Sequence, residues 1–140
     1  MLRAMASVEV EEEIAAPIDQ VWALVSDFGG LLPKMGIPAI ARGEGIGMTR
    51  TVDREGPRLT ERLEEIDEAN HSVCYTIVEG PIPAKDYRAW MALTAAGEGR
   101  TTIRWHNTFE PTGDEEQVAG IFRGAYVSGI ASMRKALGVE

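Results

Sequence analysis

The chain has 140 residues, 44% hydrophobic and 26% charged, which suits one soluble globular domain with a real core and excludes a disordered segment. Fourteen Lys and Arg against 22 Asp and Glu leave a formal charge of −8, a surface that repels nucleic-acid phosphates and anionic lipid headgroups and argues against both as main partners. The single cysteine, Cys74, permits no internal disulfide and points to a reducing, cytoplasmic setting; MLRAMAS lacks a signal peptide's apolar core, and no apolar run nears the ~18 residues that span a bilayer.

Residues 1–6 are expected to be flexible. SVEVEEEIA then alternates, with Val8, Val10 and Ile14 on one face and Glu9, Glu11 and Glu13 on the other, the pattern of a half-buried strand. Glu12 falls on the apolar face as an exception. Pro17 starts a helix whose stripe is Ile18, Val21, Trp22 and Val25. Gly29 and Gly30 are expected to end it in the left-handed conformation. Trp22 reads as a packing residue, on a helix that plugs a gap beside the first strand.

Residues 31–47, rich in Gly and Pro, predict a short helical turn or loop and then a strand near 38–42. Further strands are predicted at 48–54, 57–67, 72–80, 86–95 and 100–111. The breaks between them (REGPR, DEANH, GPIPAKD, AAGEGR) carry turn chemistry and have no room for a crossover helix, so neighbours pair antiparallel. A long helix follows over 114–137, acidic at its start and basic near its end. At roughly 36 Å it is the one element able to cover the inner face of such a sheet. The predicted architecture is α+β: a curved antiparallel sheet of six to seven strands wrapped around a C-terminal helix, with two short helices after the first strand, in one domain over 1–140.

Four pieces in order, APIDQVWALVSDF, ERL at 61–63, YTIVEGP at 75–81 and W…FEP across 105–111, resemble the START-related helix-grip superfamily (SRPBCC), most closely its polyketide cyclase/dehydrase-like branch. The resemblance implies a deep apolar cavity between sheet and helix. It does not fix the chemistry, since members include lipid carriers, receptors and cyclases.

Strand alternation places Tyr75, Ile77 and Glu79 on one inward face. Tyr87, Ala89, Met91 and Leu93 share another, and Ile103, Trp105, Asn107 and Phe109 a third; the helix adds Phe122, Tyr126 and Met133. The candidate ligand contacts are Tyr75, Ile77, Glu79, Tyr87, Met91, Leu93, Trp105, Asn107, Phe122 and Tyr126, and the plainer alternative is that they only fill a core. An inward Glu61 and Glu79 each need a partner, and Arg50 on the preceding strand is the candidate for Glu61. Glu79, Arg50 and Glu61 are the candidates for acid–base or orienting roles, set against a purely structural ion pair.

His71 falls in a turn and reads as solvated; His106 alternates onto the outer face, and neither shares metal-ligand spacing with Cys74. No metal or cofactor is implied. DFG at 27–29 and GEGIG at 43–47 lack the context of a kinase or dinucleotide motif. Trp90, on the outer face, is a candidate homodimer surface. The expected function is binding of a small hydrophobic or aromatic, lipid-like or polyketide-like molecule as a carrier. The alternatives are a cyclase- or dehydratase-like enzyme and an interaction protein such as a chaperone activator.

Overall fold

A computed structural model describes residues 4–140. Its strands are β1 (Ala6–Ile14), β2 (Ala39–Arg42), β3 (Thr49–Val52), β4 (Thr60–Asp67), β5 (Ser72–Glu79), β6 (Ala84–Ala95) and β7 (Thr101–Pro111). They form one open antiparallel sheet in the order β1-β7-β6-β5-β4-β3-β2. Helices α1 (Ile18–Val25) and α2 (Leu31–Lys34) join β1 to β2, and α3 (Glu115–Leu137) closes the chain. This is the predicted α+β helix-grip architecture, with seven strands. Part of the segment expected to be flexible, residues 1–3, lies outside the described residues, while Ala6 already pairs with Phe109.

Consecutive strands from β2 to β7 pair as hairpins because their connections are short. β1 joins the far side by pairing with β7 along its whole length, Val8 opposite Asn107 and Val10 opposite Trp105. β1 is thus one edge of the open sheet and β2 the other. Helix α1 packs across β6 and against α3, and its Trp22 indole donates to Glu68 Oε2 at 2.7 Å while standing edge-on to His71. That contact leaves His71 half-buried rather than solvated.

α1 ends at SDFGG, as the sequence predicts, but not by a left-handed glycine. Ser26 caps it in the right-handed conformation, and Gly30 has φ −97°, so neither glycine of the pair is left-handed. The reason for glycine at position 30 is proximity. Asp27 Oδ1 accepts the Gly30 N–H at 3.1 Å at the start of α2, and a Cβ at Gly30 would lie 2.1 Å from that carboxylate.

Helix α3 is held at both ends. Asp114 accepts the Gln117 N–H at 2.9 Å, and Gly138 stops the last turn at φ 72°. Its buried stripe (Val118, Phe122, Tyr126, Gly129, Ile130, Met133) faces the sheet, each large apolar side chain contributing about 1.5–3 kcal/mol by leaving water. Near the C-terminal end, Arg134 Nη2 donates to Glu12 Oε1 and to the Glu13 carbonyl, both at 2.8 Å, which accounts for an acid on the apolar face of β1. Among the described residues no helix is long and apolar enough to cross a membrane.

Candidate functional site

The inner face of the sheet is filled unevenly. Toward α1, which packs on β6, Met91, Leu93 and Ile103 are fully buried in continuous core with Val21 and Val25. Toward α2 and the middle of α3, a cavity of about 260 Å³ remains, near the lower end of the roughly 300–1,000 Å³ range of small-molecule sites. Its floor is Tyr75, Tyr87 and Trp105 from the sheet; its roof is Phe122, Tyr126 and Gly129 from α3. Leu32, Met35 and Ile37 close one side, and Ile77, Ile82 and Leu59 the rim. Ala125 and Ser128, both exposed, mark where it meets solvent.

α3 is narrow where it borders the hollow. Gly129 lets the helix sit against Trp105, since a Cβ at that position would lie 2.7 Å from indole Cζ3. The indole stacks on the Tyr126 ring at 4.4 Å, and Ser128 and Ser132 leave the adjoining wall thin.

Two polar groups break the apolar lining. Arg50 and Glu61 face each other across β3 and β4, with Arg50 Nε donating to Glu61 Oε1 at 2.9 Å and Nη1 to the Phe28 carbonyl at 3.1 Å. The guanidinium is 2% exposed and lies 3.9 Å from the Phe28 ring centroid, so ring stacking and the carboxylate together offset its lost hydration. The second group is a set of phenols. The Tyr87 and Tyr126 hydroxyls are hydrogen-bonded to each other, Asn107 Nδ2 donates to Tyr126 at 2.8 Å, and Trp105 Nε1 to Tyr75 at 3.0 Å. Burial, above all, raises all three phenols above the usual range, and neighbouring phenols add to it for Tyr75 and Tyr87, so all remain neutral donors near pH 7.

Of the residues singled out in the sequence, Tyr75, Ile77, Tyr87, Trp105, Phe122, Tyr126, Arg50 and Glu61 line this cavity. Glu79 does not. It is exposed and borders a second depression with Lys85 and Asp86, one that shares Ile77, Ile82 and Tyr87 with the cavity. Alternation fails at the end of β5: Glu79 still pairs with Thr60, but the register shifts between Thr60 and Glu61, and β6 pairs with β5 only as far as Thr76 opposite Arg88. Met91 and Leu93 point inward as expected but are roofed by core, not by the cavity. Asn107 is buried and acts through Tyr126, because its own oxygen is taken by the Val8 N–H at 2.9 Å. Met133 is fully buried away from the hollow. The α2 residues, Ile82 and the Gly129 notch escaped the alternation; a glycine inside α3's apolar stripe was the one available sign of the notch.

His106 lies on the outer face, half-buried and stacked on Trp90 at 5.1 Å, with its basicity lowered chiefly by burial. Among the described residues no group of three His, Cys, Asp or Glu is placed to hold a metal ion.

A curved sheet gripping a long helix around an apolar hollow defines the helix-grip class. Within that class the chain belongs to the polyketide cyclase/dehydrase and lipid transport family, whose model matches residues 5–138. Similar solved structures include an uncharacterised protein from Bacillus thuringiensis (25% identity, TM-score 0.81, 94% of this chain and 98% of that one) and the protein XoxI from Bacillus cereus (26%, 0.82, 94% of each). Norcoclaurine synthase from Thalictrum flavum, in complex with dopamine and hydroxybenzaldehyde, shares the fold at 17% identity (TM-score 0.74, 96% of this chain and 87% of that one).

Proposed function

We propose that the protein binds a small hydrophobic or aromatic molecule in this cavity and carries or sequesters it. The observation that carries the reading is the contrast within one inner face: packed core toward α1, and a hollow of about 260 Å³ with apolar walls toward α2. An empty apolar volume forfeits dispersion contacts, so a guest of matching shape gains them along with its own transfer from water. The family's description, which joins cyclases and dehydrases with lipid transport, supports the same reading. A cytoplasmic location belongs to the proposal and is supported by Cys74, buried and unpaired.

A cyclase- or dehydratase-like activity is the second reading. It is favoured by the Arg50–Glu61 pair and the phenols, which place proton donors and a carboxylate on the cavity wall.

Native mass spectrometry of the purified protein tests the proposal. A bound apolar molecule, or uptake of an added one such as naphthalene, is the expected result. Ser132→Phe, which puts a ring into the cavity wall, should abolish it at an unchanged melting temperature. No uptake of any apolar probe by the folded protein would overturn it.

A further inference from the structure

The β5–β6 hairpin is open at its turn. β5 continues to Glu79 and β6 begins at Ala84, yet the two strands pair only from Ser72 opposite Ala92 to Thr76 opposite Arg88. Two features of the chain hold the ends apart. Pro81 and Pro83 in the connection have no N–H to give to a ladder, and the β6–β7 register breaks between Lys85 and Arg88, where Asp86 takes φ 54°. At this bulge Tyr87 is buried and lines the cavity, while Asp86 stays exposed. The depression bordered by Glu79, Lys85 and Asp86 occupies the splay, a space of about 380 Å³ that also takes in Val78 and Ala84. Its inner edge is Ile77, Ile82 and Tyr87, which stand at the rim and floor of the cavity as well. The two hollows are neighbours across one apolar boundary, and Ile77 and Ile82 in that boundary are half-buried.

The two differ in what they offer a polar atom. On the cavity wall Arg50 is bonded to Glu61 and to the Phe28 carbonyl, and Asn107 and Trp105 are bonded to the phenols. Among the described residues no buried side-chain nitrogen or oxygen lacks a hydrogen-bond partner. A guest's own oxygen or nitrogen brought inside would have to break into these bonds or go unpaired, and either is costly. In the depression, by contrast, Glu79, Lys85 and Asp86 are all exposed, so a polar end there keeps its water. The charges are unequal. Glu79 and Asp86 bring two carboxylates, whereas the Lys85 ammonium already lies 4.0 Å from Glu110.

We infer that the guest is amphipathic and lies across this boundary, with an apolar body in the cavity and one polar end, neutral or cationic rather than anionic, between the splayed ends of β5 and β6. This rests on the cavity-binding reading and adds the chemical class and the orientation of the ligand to it. Inside, selection is by shape and apolar surface, because the wall's polar groups are occupied with one another. Outside, the two carboxylates turn an anionic end away and leave hydroxyl or ammonium ends in place.

Three probes test it by calorimetry: indane, which has no polar end, n-decylamine and sodium decanoate. The amine should bind about fivefold tighter than the carboxylate at low salt. Glu79→Gln combined with Asp86→Asn, both at exposed positions and the second a residue type that tolerates φ above zero, should bring the two within about twofold and leave indane affinity unchanged. Glu44→Gln with Glu98→Gln removes the same charge from exposed positions outside the depression and should keep the preference. Ala84→Phe, which fills the depression, should weaken both decyl probes about tenfold and spare indane. The inference is overturned, with the cavity reading intact, if indane binds and the decyl probes do not. The same holds if the preference survives Glu79→Gln/Asp86→Asn, disappears equally in the Glu44/Glu98 variant, or if Ala84→Phe leaves decyl binding untouched. Binding of none of the three probes removes both. Should Ala84→Phe not fold, the two charge variants decide alone.

Discussion

The two ends of the sheet's inner face are built from the same strands in the same phase, yet one is solid and the other hollow. β6 runs through both: Met91 and Leu93 lie in packed core, while Tyr87, a few residues earlier on the same face, lines the cavity. What differs is the cover. α1, with Val21 and Val25 buried, packs on β6 at one end, whereas α3 presents Gly129 and Ser132 over the other. Strand alternation says which side chains face inward, and the helix above them decides whether they meet protein or a guest.

The contrast can be broken hardest at the ion pair. Glu61→Leu leaves the Arg50 guanidinium buried without its carboxylate and should cost about 3–5 kcal/mol in urea unfolding. At the solid end, Met91→Ala should cost about 2–5 kcal/mol by opening a void, with guest affinity unaltered in calorimetry because Met91 does not line the hollow. A guest affinity that tracks Met91→Ala would mean the two ends are one compartment.

Alkaline titration sharpens the comparison, because the chain's three tyrosines all sit at the hollow end. Their folded pKa values are raised, so the unfolded chain loses phenolic protons first, near pH 10. The stability they contribute is complete below that pH and falls as pH rises above it, by about 1.4 kcal/mol per pH unit for each phenol. Tyrosinate absorbance should therefore emerge together with loss of structure, and not before it. The smallest expected effects come from two glycines of α3. Gly129→Ala drives a methyl into Trp105 and should destabilise by about 1–3 kcal/mol, whereas Gly124→Ala enters open space and should stabilise by about 0.5–1 kcal/mol, both read from thermal melts.

Much of the architecture was legible because period-2 alternation and the 3.6-residue stripe of 114–137 are strong local signals. The Arg50–Glu61 pair was legible for the same reason, both residues lying inward on adjacent strands. The site was only partly so. The exposure of Glu79 was not legible because alternation carries no mark of the register shift at Thr60/Glu61. For Met91 and Leu93, inward orientation does not reveal that core and not the cavity lies above them. Leu32, Met35 and Ile37 come from a one-turn helix and the loop after it, too short for a period to read, and the turn of the Asn107 amide toward Tyr126 depends on the Val8 N–H, a contact 99 positions away in the chain.

Gly129 has one more effect. A rod lying on a smooth apolar trough can slip along its axis with little change in total burial, but here the edge of the Trp105 indole enters a dent only one residue wide. Sliding the rod along its axis by one turn, about 5.4 Å, would bring the side chain of Ala125 or Met133 toward that edge. One absent methyl group thus acts as a detent, fixing where α3 comes to rest and with it the size of the chamber below.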